Sequence, residues 1–236
     1  MGHQGKKYIR LGIPLEAAKG FMRVGIFHIG TKDDRNKIGS LAAKVAKQTM
    51  PNVEVCHLTD TDTPMLDGAD RAIRIERNVP MAVFRMQHHQ IVGEWLFIDT
   101  DVLIHKNVES VFEDKYFDIA IANRVSGDGA HGPAFAEMPH NMGVVFSRNP
   151  DFWKAVEKEL LTYDNKKQEW MGDQLAVCRL IKKGAFSVNI VPGEKYNFPP
   201  SVPYDIDKAS IIHYKGPRKK WLVEHANYLL APLEVV

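Results

Sequence analysis

Three pairs of aspartates stand two residues apart in this chain: Asp60 and Asp62 in "CHLTDTDTP", Asp99 and Asp101 in "EWLFIDTDVLI", and Asp205 and Asp207 in "PYDIDKAS". Two carboxylates on one short turn suit a hard divalent cation such as Mn²⁺ or Mg²⁺, whose remaining positions phosphate oxygens can fill. The chain has 16 aspartates, so chance alone supplies about one such spacing, and the spacing by itself says little. The residues in front of each pair separate them. Asp99 and Asp101 follow the apolar run "WLFI", so their carboxylates emerge from a strand end, where open α/β sheets keep their ligands. Asp60 and Asp62 lie among Thr59, Thr61, Thr63 and Pro64, a composition that favours a capping or Asx-turn role. Asp205 and Asp207 follow prolines and precede Lys208, with no comparable context.

The elements that must position these residues read as alternating strands and helices. "RVGIFHIG" is a buried strand closed by glycine, and the segment from Asp33 to Met50 is a helix with Ile38, Leu41, Ala42 and Val45 on one face. "VEVCHLT" is a second strand, "TDTDTPMLDGAD" a polar loop, "VPMAVFRMQHHQIV" a helix with Pro80 near its first turn, and "EWLFID" a third strand. "FDIAIAN" and "MGVVFS" are further strands around a glycine-rich loop, Ser126 to His140, that suits a lid or an acceptor wall. Helices follow over "PDFWKAVEKELLTY" and over "GDQLAVCRLIKKG", the latter capped by Gly184. "FSVNIVP" is a strand, the proline-rich segment after it irregular, "ASIIHYKG" a short strand, and "WLVEHANYLL" a terminal helix. The alternation predicts an α/β fold with a mixed, mainly parallel sheet flanked by helices. One domain over 22–236 is expected, with 1–21 as an N-terminal extension.

Composition narrows the function classes. A formal net charge of +2 over 236 residues is too mild to imply nucleic acid. Two cysteines, Cys56 and Cys178, without C-x-x-C spacing give neither a disulfide framework nor a zinc site. That usage, with no apolar run near the roughly 18 residues of a membrane span and no signal-peptide core, predicts a cytoplasmic protein.

An apolar strand ending in D-x-D occurs in two reaction classes. Phosphohydrolases of the haloacid dehalogenase type use the first aspartate as nucleophile, and "FIDTDVL" resembles their pattern. Their later G-D-x-x-x-D has only a superficial counterpart in "MGDQLAV", because Val177 stands where the second acid is required. Two strand–helix units also precede Asp99, whereas that nucleophile usually closes the first strand.

The second class is sugar transfer. Arg85 in "MAVFRM", Asn141 and Gly143 in "HNMGVVFS", Asp173 and Gln174 in "GDQ", and His213, Gly216, Lys219 and Trp221 in "HYKGPRKKW" occur in that order around the D-T-D. The ordered set resembles glycosyltransferases of the GT-A fold, and among them the retaining family 8 that includes glycogenin and bacterial galactosyltransferases. The resemblance spans roughly residues 23 to 221. It implies a sugar transferred from a nucleoside-diphosphate sugar, UDP-linked, to an acceptor that could be a saccharide, a protein, a lipid-linked glycan or modified nucleic acid. It also implies Mn²⁺ or Mg²⁺ held by Asp99, Asp101 and His213. Gly216 and Lys219 would meet the β-phosphate, Arg85 the sugar or phosphates, Thr100 the ribose through its backbone, and His28 and Thr31 the base and ribose. Asn141, Asp173 and Gln174 would surround the donor sugar. Arg218 and Lys220 stay as solvated cations of the basic cluster. Met142 inside the N-x-G and Lys220 before Trp221 depart from the family pattern. A non-catalytic nucleotide-sugar-binding protein is a third reading, which the intact Asp99, Asp101, His213 and Lys219 oppose.

Overall fold

A computed structural model of the chain describes residues 22–30, 33–113, 116–125, 136–203 and 205–231. The expected extension at 1–21, Thr31 and most of the expected lid loop lie outside the described residues. The first half builds β1 (Met22–Phe27), α1 (Asp33–Thr49), β2 (Glu54–Thr59), β3 (Arg71–Arg74), α2 (Met81–His89), β4 (Glu94–Asp99) and β5 (Val102–Ile104). Then come β6 (Ile119–Asn123), β7 (His140–Ser147), α3 (Pro150–Leu160), α4 (Asn165–Glu169) and α5 (Gly172–Lys183). The chain continues through β8 (Val188–Val191), α6 (Gly193–Tyr196), β9 (Ile211–His213) and α7 (Lys219–Leu230). "RAIR" and "VLI" were not legible as β3 and β5, because three or four residues are too few to show a period.

Seven strands form one sheet in the order β3-β2-β1-β4-β7-β6-β8, and β5 pairs with β9 in a separate ribbon. β1 is parallel to both β2 and β4, while β7 runs antiparallel to β4 and β6. This is the mixed, mainly parallel α/β sheet that the alternation predicts. From β1 the chain winds outward through β2 and β3, then returns to place β4 on the other side of β1. The carboxyl ends of β1 and β4 therefore diverge at a switch point, which leaves a crevice between their outgoing loops. Phe27 lies level with Asp99 across that boundary. β7, running the other way, brings its first residues to the same end of the sheet, since Val144 pairs with Ile98 and the strand begins at His140.

The two sheet faces carry separate cores. One packs Ala42, Val45 and Ala46 of α1 and Leu222 and Ala226 of α7 over Ile26, Leu96 and Phe146. The other packs Val83 and Met86 of α2, Trp153 of α3 and Val177 of α5 over Leu58, Phe97 and Val145. Cys56 and Cys178 are buried free thiols, as expected for a strand and a helix position without a disulfide. No helix among the described residues is long and apolar enough to cross a membrane.

Buried histidines make this fold acid-sensitive. His57 accepts a hydrogen bond from the Leu66 N–H at Nδ1 and donates from Nε2 to the His28 carbonyl, which holds the ring neutral. Burial lowers its pKa to about 4, and burial lowers that of His88 to about 3. Both values lie below the unfolded 6.5, so the unfolded chain binds more protons as pH falls. Stability is full above pH 6.5 and declines at about 1.4 kcal/mol per pH unit for each ring down towards its folded pKa. Urea unfolding at pH 7 and pH 5 should show that decline; a free energy unchanged between them would exclude it.

Candidate functional site

β4 delivers Asp99 to the crevice and the following turn carries Thr100, half-buried, and Asp101. The β5–β9 ribbon sets the far side of that turn. Val102 pairs with His213, and the Tyr214 N–H donates to the Asp101 carbonyl at 2.8 Å. His213 therefore stands beside Asp101 although the two are distant in sequence. Its Nε2 lies 3.2 Å from Asp101 Oδ1 and 3.9 Å from Asp99 Oδ2. One ligand atom from each of Asp99, Asp101 and His213 falls within 4.8 Å of the others. Two carboxylates and an imidazole at that separation, largely withdrawn from water, fit a divalent ion that accepts both oxygen and nitrogen.

Cations brace this group from two sides. Arg85 reaches from α2, donates from Nη2 to Asp99 Oδ1 at 2.8 Å and to the Met142 carbonyl at 2.9 Å, and lies 3.6 Å from Asp173 Oδ2 through Nη1. Its side chain is 13% exposed, so it is no solvated helical arginine. Lys219, the first residue of α7, places Nζ 3.0 Å from Asp101 Oδ2. Burial raises the Asp101 carboxyl, but the neighbouring His213 ring and the Lys219 ammonium outweigh it and hold the group well below the usual carboxylate range. Three carboxylates, those of Asp99, Asp101 and Asp173, face two permanent cations, Arg85 and Lys219. A divalent ion added there would reverse the sign of the site and favour an anionic ligand.

The start of β7 and the start of α5 form the opposite wall. Asn141 is buried, its Oδ1 accepts from the Gly143 N–H at 3.0 Å, and its Nδ2 donates to Gln174 Oε1 at 3.3 Å. Gly143 is required by a close approach: a Cβ there would fall 2.1 Å from His213 Cε1. The glycine of the N-x-G thus makes room for the histidine ring. Asp173 is not the plain N-cap of α5, a position held by Met171 in the left-handed region at φ 62°. Strain of that kind in a methionine costs of order 1–3 kcal/mol and gathers at functional sites. Burial pushes the Asp173 carboxyl up while the Arg85 guanidinium pulls it down, and the net direction is upward.

His28 follows β1 at the same sheet end and is 5% exposed, its ring stacked on His57 at 5.7 Å. Neither of its ring nitrogens has a hydrogen-bond partner among the described residues. Gly216 adopts φ 58°, a left-handed turn that glycine takes without penalty, just before Lys219. Arg218 corrects an expectation: its Nε donates to the Pro200 carbonyl at 2.8 Å, so it ties two loops together instead of lying solvated. Lys220 is exposed over the Trp221 ring, as expected. Asp60 also behaves as expected, its Oδ1 accepting from the Asp62 and Thr63 N–H groups in a local turn.

Asn197 was missed. It closes α6, a single helical turn inside the segment expected to be irregular, and its Oδ1 lies 2.8 Å from His213 Nδ1. A lone asparagine in a proline-rich stretch carries no local signal; only its place beside His213 distinguishes it.

No protein-family model matches the sequence, and a search of curated proteins gives no significant match. Solved structures do match in shape. The glycosyltransferase GlyE of Streptococcus pneumoniae TIGR4 superposes with a TM-score of 0.59 at 19% identity, over 87% of this chain and 60% of its own. This chain therefore spans about 60% of the GlyE chain's length. A glycosyltransferase involved in glycosylation of the major capsid of PBCV-1 gives 0.60 at 12% identity, over 88% of this chain and 99% of its own. The galactosyltransferase LgtC, solved with donor and acceptor sugar analogues, gives 0.52 at 13% identity, over 90% and 98%. At these identities the likeness shows the fold, which is that of the GT-A glycosyltransferases.

Proposed function

We propose that this chain is a metal-dependent glycosyltransferase of the hexosyltransferase type, moving a sugar from a nucleoside-diphosphate sugar, UDP-linked, to an acceptor with retention at the anomeric carbon. The reading rests above all on the meeting of Asp99, Asp101 and His213, within 4.8 Å of one another, at the switch point of the sheet. The GT-A likeness supports it. So does Val177, which denies the haloacid dehalogenase reading its second acid.

Asp99, Asp101 and His213 would hold Mn²⁺ or Mg²⁺, and the chemistry the ion supplies when bound is neutralisation of the leaving diphosphate. The chain's own residues do the rest. Lys219, half-exposed and movable, would exchange its bond to Asp101 for the β-phosphate, with Gly216 admitting the phosphate close to the backbone. Arg85, placed between Asp99 and Asp173, would hold the donor sugar and phosphates against that wall. His28 after β1 and the backbone of Thr100 after β4 would receive the base and ribose, as would Thr31, which lies outside the described residues. Asn141, Asp173 and Gln174 would line the sugar. Asp173 is paired with Arg85 and buried, which suits a carboxylate that stabilises positive charge developing on the sugar better than one that attacks it. The acceptor could be a saccharide, a protein, a lipid-linked glycan or modified nucleic acid.

The test uses UDP-sugars with Mn²⁺ and, in parallel, a phosphomonoester. Slow UDP release from one of the UDP-sugars, dependent on Mn²⁺ and lost with EDTA, is the expected result. Phosphate release from the ester with no UDP from any sugar donor would sink the reading in favour of the phosphohydrolase.

A further inference from the structure

The tautomer of His213 is set by a hydrogen-bond chain that begins at unambiguous donors. Backbone N–H groups can only donate. The Gly143 N–H points at Asn141 at 3.0 Å and the Met142 N–H at Gln174 at 3.3 Å, so each of those side chains must turn its carbonyl oxygen towards the strand. Asn141 then has its amide nitrogen for Gln174 Oε1, at 3.3 Å. Its oxygen, facing Asn197 at 3.1 Å, requires the Nδ2 of that residue as donor. The remaining end of Asn197 is therefore its carbonyl oxygen, 2.8 Å from His213 Nδ1, and an oxygen there requires a proton on that nitrogen. Nε2, which faces the Asp99 and Asp101 carboxylates, is thereby the nitrogen turned towards the place a cation would take.

We propose that Asn197 is a positioning residue for the metal site, transmitting the polarity of the Met142 and Gly143 backbone amides through Asn141 and Gln174 to hold His213 as the Nδ1–H tautomer. The proposal rests on the metal site of the preceding section. Asn197 is 1% exposed and donates its own backbone N–H to the Gly193 carbonyl at 2.9 Å, so the amide cannot swing away to water. A carbonyl partner on the far nitrogen both orients the ring and raises its basicity as a ligand, and loss of such partners typically weakens metal binding by about 10- to 100-fold. The same chain joins the metal side of the crevice to the residues assigned to the donor sugar. It also gives the N-x-G a second use: its glycine admits the ring, and its asparagine dictates which way Asn197 faces.

Mn²⁺ binding to the full chain, measured by calorimetry without nucleotide, separates this role from packing. Asn197→Leu keeps the volume and removes both hydrogen bonds, and should weaken Mn²⁺ binding about 10-fold or more. Asn197→Asp keeps an acceptor for Nδ1–H while giving up the donor to Asn141, and should lose clearly less Mn²⁺ affinity than the leucine variant. Wild-type affinity in the leucine variant, or equal loss in both, would overturn the proposal. If the leucine variant does not fold, nitrogen NMR of ¹⁵N-histidine-labelled wild type with diamagnetic Zn²⁺ decides, His213 being assigned by difference from His213→Gln. A proton on Nδ1 is expected, and a bare Nδ1 overturns the proposal. Loss of sugar transfer alone, with these results intact, would remove the transferase reading and leave the positioning role standing. Wild-type protein that takes up no divalent ion would overturn both.

Discussion

Asp101→Asn is expected to weaken Mn²⁺-dependent UDP binding by more than about 100-fold, beyond what removal of an outer partner of a ligand gives. The carboxylate is 12% exposed on its side chain and serves His213 at 3.2 Å and Lys219 at 3.0 Å with different oxygens. Asparagine preserves the shape of the turn but removes the charge, so a divalent ion loses one of two anionic ligands. Lys219, half-exposed, can return to water, so the cost to folding should be small beside the cost to binding. Asp62→Asn is the control that gives this result its meaning. That side chain is exposed, and the Asp60 carboxylate makes the turn contacts of its loop. UDP binding should change less than about twofold, as for a surface substitution away from a site. Calorimetric titration of UDP with and without Mn²⁺ measures both. Equal losses in the two variants would show that the two D-T-D copies had been ranked wrongly.

Arg85→Met should be the most destabilising single change at the site, with a cost of about 3–5 kcal/mol, because it strands the Asp99 and Asp173 carboxylates without their shared cation. Asp173 is 11% exposed on its side chain and already pushed towards protonation by burial. The Met142 carbonyl loses its donor as well. For a chain of this size that cost lowers the melting temperature by on the order of 10 °C. Two comparisons test the cause. Arg85→Met combined with Asp173→Asn should recover part of the loss, since one stranded charge is gone. Mn²⁺ should raise the melting temperature of Arg85→Met more than that of wild type, because the ion supplies the charge that Asp99 has lost. A single variant that melts with the wild type would mean that Arg85 is dispensable to this cluster, contrary to its contacts.

These contrasts turn on what local sequence can encode. The strand–helix alternation, the strand before Asp99 and the polar turn around Asp60 were legible because they depend on near neighbours: alternation of apolar residues, proline and glycine stops, and carboxylates that cap adjacent N–H groups. β3 and β5 were not, being too short to display a period. The ordered motifs also named Asp99, Asp101 and His213 together, and the fold brings them together. They could not tell Arg218 from Lys220, since both are basic residues of one sequence cluster, yet Arg218 reaches the Pro200 carbonyl while Lys220 lies exposed on the first turn of α7.

What the sequence determined by itself was therefore the inventory: which strand ends in carboxylates, which residues can carry charge to them, and the α/β order in which they arrive. What only the tertiary structure decided was direction. The β5–β9 ribbon turns His213 onto Asp101, the missing side chain of Gly143 leaves space for its ring, and Asn197 chooses which of its nitrogens faces the carboxylates. A hydrogen bond depends on angle and on which atom is presented. Those are set between residues far apart in the chain, where the one-dimensional pattern of residue types carries no signal.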